Sequence, residues 1–172
     1  GRHDEALAFQ KRVRPADHPY IAGAMNNLAL SLSALGRHDE ALKLQEQTLA
    51  FRKRVLPCNY RDIATTMRHL ASTLSALGRH DEALKLQEER LVLVARVLPP
   101  RHPHIAESMN LLASTLSASG RHNDALELQE EALAFQKRVL PPDHPDIGSS
   151  MNNLATTLSA LGRHEEALKL QE

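Results

Sequence analysis

The sequence predicts an all-α fold in which pairs of antiparallel helices stack into a solenoid. Three observations support this fold: the tripeptide Gly-Arg-His recurs along the chain, apolar residues recur at intervals of three and four, and proline and glycine mark helix boundaries once per repeat. We expect one array over residues 1–172, with a partial unit at 1–35, units starting at 36, 78 and 120, and a partial unit at 162–172.

The repeat length follows from the five Gly-Arg-His tripeptides, whose glycines are separated by 35, 42, 42 and 42 residues. The first interval is seven residues shorter, and the missing residues fall between Leu7 and Ala8 when the units are aligned. Because seven residues are close to two helical turns, the apolar stripe stays in register. We interpret this as a shortened second helix that still packs; a break in the chain is the alternative.

The first helix of each pair, helix A, has apolar residues on one face: Ile63, Met67, Leu70, Ala71, Leu74 and Leu77. Asp-His-Pro, as at residues 17–19 and 143–145, marks its start, because a polar residue can cap the helix and proline is tolerated in the first turn, where its missing N–H would be unpaired. Gly78 marks its end, since glycine adopts the left-handed cap at the lowest cost.

The second helix, helix B, begins near Asp81 and Glu82, which the helix dipole favours in a first turn. It ends in a basic run at residues 52–54, before Pro57. Its apolar positions form two adjacent stripes: Ala41, Leu44, Thr48, Phe51 and Val55, and Leu42, Leu49 and Leu56. A helix with so broad an apolar face lies between neighbours, as stacked repeats require.

Other repeat architectures share this length. A period of 42 residues also suits armadillo and HEAT arrays and the blades of β-propellers. Propellers are excluded because the chain has no alternating, β-branched segments. HEAT units are not excluded by length alone.

The junction of the two helices carries a family resemblance. Leu154-Ala155-x-x-Leu158, followed by Gly162 and Ala167, resembles the tetratricopeptide signature, in which small residues let the helices cross closely. The period, the Asn-Leu-Ala core of helix A and the linker at residues 141–146 resemble the kinesin light chain subclass of that family. The resemblance covers essentially the whole chain, and it implies a right-handed superhelical solenoid whose A helices line a concave, ligand-binding groove.

The chain departs from that subclass at positions that recur in each unit. Histidine replaces an aromatic residue after the turn glycine, and glutamine replaces a large residue on helix B: His38, His80, His122, His164, Gln45, Gln87, Gln129 and Gln171. The linker at residues 57–61 lacks the His-Pro step. We therefore do not extend the role of kinesin light chains in motor cargo transport to this chain.

Composition narrows the functional classes. The 21 basic residues balance 21 acidic ones, so we expect neither nucleic acid nor a membrane as partner. No apolar stretch is long enough to span a membrane and no signal peptide opens the chain, although it starts and stops inside a repeat, as a fragment would. The single cysteine, Cys58, cannot form an internal disulfide, which favours a reducing, cytoplasmic location.

The ten histidines are candidates for a metal site. Most recur once per repeat, so equivalent histidines are separated by the ~10 Å between helix layers, whereas zinc ligands lie at ~2 Å. We therefore expect turn and capping roles, with no metal and no other cofactor. Cys58 has no base nearby in sequence, and no phosphate loop or nucleophile elbow occurs, so we expect no catalytic residue and no enzyme activity.

The candidate binding residues follow from the resemblance, which implies that helix A faces the groove. They are the polar residues just before the Leu-Ala core and about one turn away: Asn26, Asn27, Ser33, Arg68, His69, Ser75, Glu107, Asn110, Asn152 and Asn153. Leu111, Ser117 and Ser159 occupy equivalent positions. Asparagine amides both donate and accept, so a ladder of them can bond an extended peptide. For each asparagine, a solvated role or a bond to the next repeat is the alternative.

Two functional hypotheses follow. The first is a scaffold or adaptor that holds a protein or an extended peptide in the groove, where Arg68 and His69 add a preference for a carboxylate. Because Arg68 stands alone, where chaperone-binding relatives have a ladder of Lys and Arg, we expect weak or no binding of acidic chaperone tails. The second is a self-associating structural array, a homo-oligomer that stacks through apolar helix faces left uncapped at its ends.

Overall fold

The structure is a computed structural model that describes residues 2–16, 18–55 and 59–170. Within these ranges it contains helices and no strand. The helices are α1 (Arg2–Val13), α2 (Pro19–Ala34), α3 (His38–Val55), α4 (Tyr60–Ala76), α5 (His80–Val97), α6 (Pro103–Ala118), α7 (His122–Val139), α8 (Pro145–Ala160) and α9 (His164–Lys169). The even-numbered helices are the A helices and the odd-numbered ones are the B helices. The prediction of an all-α fold built from helix pairs is confirmed.

The chain divides into two compact units, Gly1–Ala83 and Leu84–Glu172. In the first unit, α2 packs against α1, α3 and α4, and α3 also packs against α4. In the second unit, α7 packs against α6 and α8, and α8 also contacts α6 and α9. Neighbouring helices thus pair within each unit, while a single array over residues 1–172 stays a prediction.

Alanines recur at the helix crossings. Each lies at the same position of its repeat and is buried: Ala29, Ala71, Ala113 and Ala155 on the A helices, and Ala41, Ala83, Ala125 and Ala167 on the B helices. Around them the core is aliphatic, with Leu126, Leu133 and Leu154 forming one cluster in the second unit. Small side chains let the helix backbones approach, and the larger residues fill the space beside them.

Helix α1 is the shortened helix B of the first repeat. It has 12 residues, whereas α3, α5 and α7 have 18 each. Leu7 is buried and packs in one cluster with Ile21 and Met25 of α2. A shortened helix B is expected to pack in this way. That the seven residues are absent by nature, and not through a break in the chain, stays a prediction.

Three A helices begin at a histidine cap. Nδ1 of His18, His102 and His144 accepts a hydrogen bond from the backbone N–H two residues later, at 3.3, 3.2 and 3.2 Å. Proline occupies the start of each helix, where its lack of an N–H costs nothing. Helix α4 has no His-Pro step and uses Asn59 instead, whose Oδ1 accepts from the Asp62 N–H at 3.3 Å. The expected capping role of these histidines is observed.

Each of these A helices is followed, two residues after its last helical residue, by the glycine of a Gly-Arg-His turn. Gly36, Gly78, Gly120 and Gly162 have φ values of 74, 74, 82 and 76°. The N–H of the following arginine bonds the carbonyl five residues earlier at 2.9 Å in all four turns, which is a Schellman closure. The arginine side chain then pairs with an acid three residues later, as Arg37 does with Glu40. The prediction that glycine ends helix A is confirmed.

The B helices bury polar residues that the two predicted apolar stripes do not include. Gln45, Gln87, Gln129 and Gln136 are buried, and their Oε1 atoms have no hydrogen-bond partner among the described residues. Arg52 and Arg90 are buried as well. The inner side of helix B is therefore more polar than its apolar pattern indicates.

Candidate binding surface on the A helices

One side of each A helix faces solvent, and we call it the A-face. On α4 the residues Met67, Leu70 and Leu74 are buried, whereas Arg68 and Ser72 are exposed on the other side. The repeat assigns the equivalent positions of the other A helices. The A-face comprises Gly23, Asn26, Asn27, Leu30 and Ser33 on α2; Thr65, Arg68, His69, Ser72 and Ser75 on α4; Glu107, Asn110, Leu111, Ser114 and Ser117 on α6; and Ser149, Asn152, Asn153, Thr156 and Ser159 on α8.

In the first unit, a side-chain contact connects the A-faces of α2 and α4. His69 Nδ1 lies 3.2 Å from Asn26 Oδ1. Because an amide oxygen can only accept, Nδ1 carries the proton. His69 Nε2 lies 3.4 Å from Arg68 Nη2, and a guanidinium can only donate. A neutral His69 with its proton on Nδ1 satisfies both contacts.

Burial and two arginines keep His69 neutral. The pKa of this partly buried imidazole is lowered from 6.5, first by burial and then by the positive charges of Arg68 and Arg52.

The other predicted residues of this unit do not connect the A-faces of α2 and α4 in the contacts described. Asn27 is exposed, and the partly buried Ser33 has its Oγ 3.5 Å from His38 Nδ1, toward the turn. Ser75 is partly buried.

Arg52 on α3 is a charged residue that the sequence did not single out. Its side chain is 6% exposed, and Nη1 donates to the Asp62 carbonyl at 2.7 Å and to Thr66 Oγ1 at 2.5 Å. Burial lowers its pKa, and the charge of Asp62 opposes that shift. The signal in the sequence is the apolar Val94 at the equivalent position of the next unit, and the structure buries Val94 and the equivalent Gln136 as well.

In the second unit, the A-face residues of α6 are tied to their neighbours. Asn110 Nδ2 donates to Ser150 Oγ of α8 at 2.6 Å, while Asn110 Oδ1 is buried without a partner among the described residues. Glu107 Oε1 lies 3.4 Å from Nη2 of Arg90, whose side chain is 5% exposed against 42% for Glu107. Neither Arg90 nor Ser150 was predicted from the sequence.

The asparagines therefore fall into two groups. Asn26 and Asn110, the first of their pairs, are partly buried and contact the neighbouring A helix of their unit. Asn27, Asn152 and Asn153 are exposed. Their amides face solvent in a form that can meet a ligand without breaking an internal bond.

Of the remaining histidines, three cap A helices and four are the first residues of B helices: His18, His102, His144, His38, His80, His122 and His164. Ser117 Oγ is 3.1 Å from His122 Nδ1, a contact within one turn. Over the part of the chain that the structure describes, no three side chains of His, Cys, Asp or Glu gather closely enough to hold a metal ion. Cys58 lies outside the described residues. Among the described helices, none is both long and apolar enough to cross a membrane.

Solved structures share this fold. A protein from Podosopora anserina, described as a kinesin light chain with nearly identical TPR-like repeats, matches with 29% identity and a TM-score of 0.82, over 98% of this chain and 80% of that chain. BtubC (BKLC) from P. vanneervenii matches with 22% identity and a TM-score of 0.80, over 98% and 67% of the two chains. The Rap protein complexed with Competence and Sporulation Factor matches with 14% identity and a TM-score of 0.77, over 98% and 45%. The last two likenesses show the fold alone.

The sequence itself identifies the family. No protein with a curated description matches it. The family model described as Tetratricopeptide repeat matches residues 1–54, 20–96, 62–138 and 104–172, which together cover the chain. With the helix pairs, the glycine turns and the alanine crossings already described, these matches show that the chain belongs to the tetratricopeptide repeat family, with repeats similar to those of kinesin light chains.

Proposed function

We propose that this chain is a scaffold or adaptor module that holds an extended peptide segment of another protein on its A-faces. Tetratricopeptide repeats are in general protein-interaction modules, which is the coarse basis for the proposal. One observation supports the more specific proposal that an extended peptide binds on the A-faces. Seven of the eight residues at the two positions before the Leu-Ala core are Asn, Arg or His, and each of the seven is exposed or only partly buried.

The chemistry of these residues suits a peptide backbone. Each exposed amide offers two donors and an acceptor, which matches the alternating N–H and C=O groups of an extended chain. Leu30 adds one exposed apolar contact in the first unit. Arg68, with His69 beside it, adds a preference for an acidic side chain on the ligand.

The test uses peptides selected from a random phage-displayed library against the wild-type chain, with affinities measured by fluorescence anisotropy. Asn27→Ala and Asn152→Ala are the preferred variants, because both asparagines are exposed and Asn26 and Asn110 have contacts inside the fold. We expect Asn27→Ala to raise the Kd of peptides bound by the first unit, and Asn152→Ala that of peptides bound by the second, each about fivefold, corresponding to about one hydrogen bond.

Exposed amides on the B helices provide the matched controls. Gln47→Ala on α3 and Asn123→Ala on α7 remove an amide of similar exposure away from the A-face, so they should leave the affinity unchanged. Selected peptides that bind both A-face variants as tightly as the wild type would refute the assignment of the surface.

Self-association is the second candidate function. Phe9 and Val13 on α1 are 51% exposed, and Val92 on α5 is 65% exposed, so apolar side chains on the B helices are available to a second copy. Size-exclusion chromatography with light scattering over a wide concentration range is the measurement. A strict monomer at the highest concentration would eliminate this candidate.

We further propose that the chain is not an enzyme, that it works in the cytoplasm, and that it binds neither nucleic acid nor membranes. Support comes from the scaffold character general to the family, the single cysteine, and the balance of 21 basic and 21 acidic residues. A gel-shift titration with duplex DNA at low salt checks the nucleic-acid part, since counterion release makes non-specific binding strongest there.

A further inference from the structure

His69 is the centre of an unusual arrangement on the A-face of the first unit. Its Nδ1–H donates to Asn26 Oδ1, and its Nε2 accepts from Arg68. At the equivalent positions the other repeats have Asn27, Leu111 and Asn153, none of which can titrate. One A helix therefore carries an ionisable ring in contact with an exposed arginine.

Within the first unit, two arginines on two helices act on the pKa of the ring. Arg68 precedes it on α4, and Arg52 contributes from the packed helix α3. The packed helix α2 contributes the neutral Asn26, and the only ionisable side chain of α2 is Tyr20 at its N-terminal end. Arg52 is bonded to two neutral oxygens, and its buried Nε has no hydrogen-bond partner among the described residues. The first unit thus presents positive charge and a neutral imidazole at one place.

We propose that Arg68 and His69 form a proton-linked site for one carboxylate side chain of an extended peptide. On binding, the carboxylate replaces His69 Nε2 as the acceptor for Arg68. Nε2 then takes one proton from solvent and donates it in a hydrogen bond to the same carboxylate. Nδ1–H stays on Asn26 Oδ1, so the ring keeps its orientation. This deepens the proposed peptide-binding function and rests on it.

Affinity should then depend on pH in one direction. In the free protein, burial and two arginines lower the pKa of His69, so the ring is neutral at pH 7 and above. A carboxylate beside Nε2 favours the charged ring and raises its pKa in the complex. Because the bound state holds one more proton between these two pKa values, the affinity rises as pH falls, by at most about tenfold per pH unit.

The probe is an acetylated and amidated tetraglutamate peptide, which remains largely ionised from about pH 8 to about pH 5.5. The ring signals of His69 are followed by NMR, and the spectrum of His69→Asn identifies them by their absence. We expect saturating peptide to raise the titration midpoint of His69. We also expect the affinity of the wild type to increase at least about fivefold from about pH 8 to about pH 5.5.

Two variants use residue types that occur at the equivalent positions. His69→Asn should remove the site-specific pH dependence, and the response that it retains measures the general effect of protonating the other histidines. Arg68→Asn should weaken tetraglutamate binding at both pH values. A tetraglutamine peptide should not compete.

Three results would overturn the proposal: equal pH dependence in the wild type and His69→Asn, a His69 midpoint unmoved by saturating peptide, or no binding of tetraglutamate at millimolar concentration. None of these results bears on the assignment of the A-faces as the peptide-binding surface. The Asn27→Ala and Asn152→Ala variants test that assignment separately, with library-selected peptides near neutral pH.

Discussion

The histidine caps allow a quantitative test of how the A helices begin. Replacing His144 by alanine removes the acceptor of the 3.2 Å bond from the Asp146 N–H, so one N–H at the start of α8 loses its side-chain partner. Losing an N-cap acceptor costs about 1 kcal/mol. His18 and His102 make the same contact in other repeats, and caps that share no partners act independently. The triple alanine variant should therefore lose about 3 kcal/mol of unfolding free energy.

A matched aspartate series separates capping from packing. Aspartate can accept the same backbone bond, and its negative charge is favoured at a helix N-terminus, so the triple aspartate variant should equal or slightly exceed the wild type in stability. Urea denaturation followed by circular dichroism is the assay. His164→Ala is the control, because this exposed turn histidine is not a cap, and its effect should stay within about 0.5 kcal/mol. If aspartate proves as destabilising as alanine, imidazole packing, such as the stacking of His18 on Tyr20 at 5.2 Å, carries the effect and the capping argument fails.

Further predictions concern glycine, a buried arginine and pH. Gly120→Ala should destabilise by about 1 kcal/mol because its φ is 82°, whereas Gly148→Ala, inside α8 and equally free of nearby atoms, should stabilise by about 0.5–1 kcal/mol. Denaturation curves that shift in the same direction would contradict this. Arg52→Met should stay within about 1 kcal/mol of the wild type, because it removes a buried charge at similar volume, whereas Arg52→Ala should cost about 2–4 kcal/mol through the cavity it leaves. Equal losses in thermal melts would show that the hydrogen bonds of Arg52 dominate. Because the pKa of folded His69 is lowered from 6.5, the unfolded state binds more protons, and the unfolding free energy should fall as pH drops below about 6.5. His69→Asn should flatten that slope in urea titrations over this pH range, and an unchanged slope would contradict the assignment.

The fold was predictable because each of its signals is local. The turn after an A helix requires a positive φ, which glycine adopts readily. The first turn of an A helix accepts proline because its N–H groups have no partner within the helix. The apolar intervals of α4 follow the helical period, and its buried residues lie where that period places them. None of these signals depends on where another repeat lies.

The side-chain contacts of the candidate surface were harder to predict from the sequence, because they depend on where the neighbouring helices lie. One residue along a helix turns a side chain by about 100°, so whether Asn26 or Asn27 meets His69 depends on where α4 lies. Arg52 shows the same limit, because a charged residue at the edge of an apolar stripe is expected to face water. Its burial depends on the Asp62 carbonyl and Thr66 hydroxyl that α4 supplies.

The closed glycine turns bear on how such a chain can change its length. Each turn satisfies its helix end with its own backbone, through the 2.9 Å bond from the arginine N–H, and borrows nothing from the next repeat. A gene segment that runs from the codons of one Gly-Arg-His turn to those of the next can therefore be duplicated or lost. The carbonyl groups at the end of the helix beside the junction would keep their hydrogen bonds. The number of units could therefore change while each remaining unit keeps its own A-face residues.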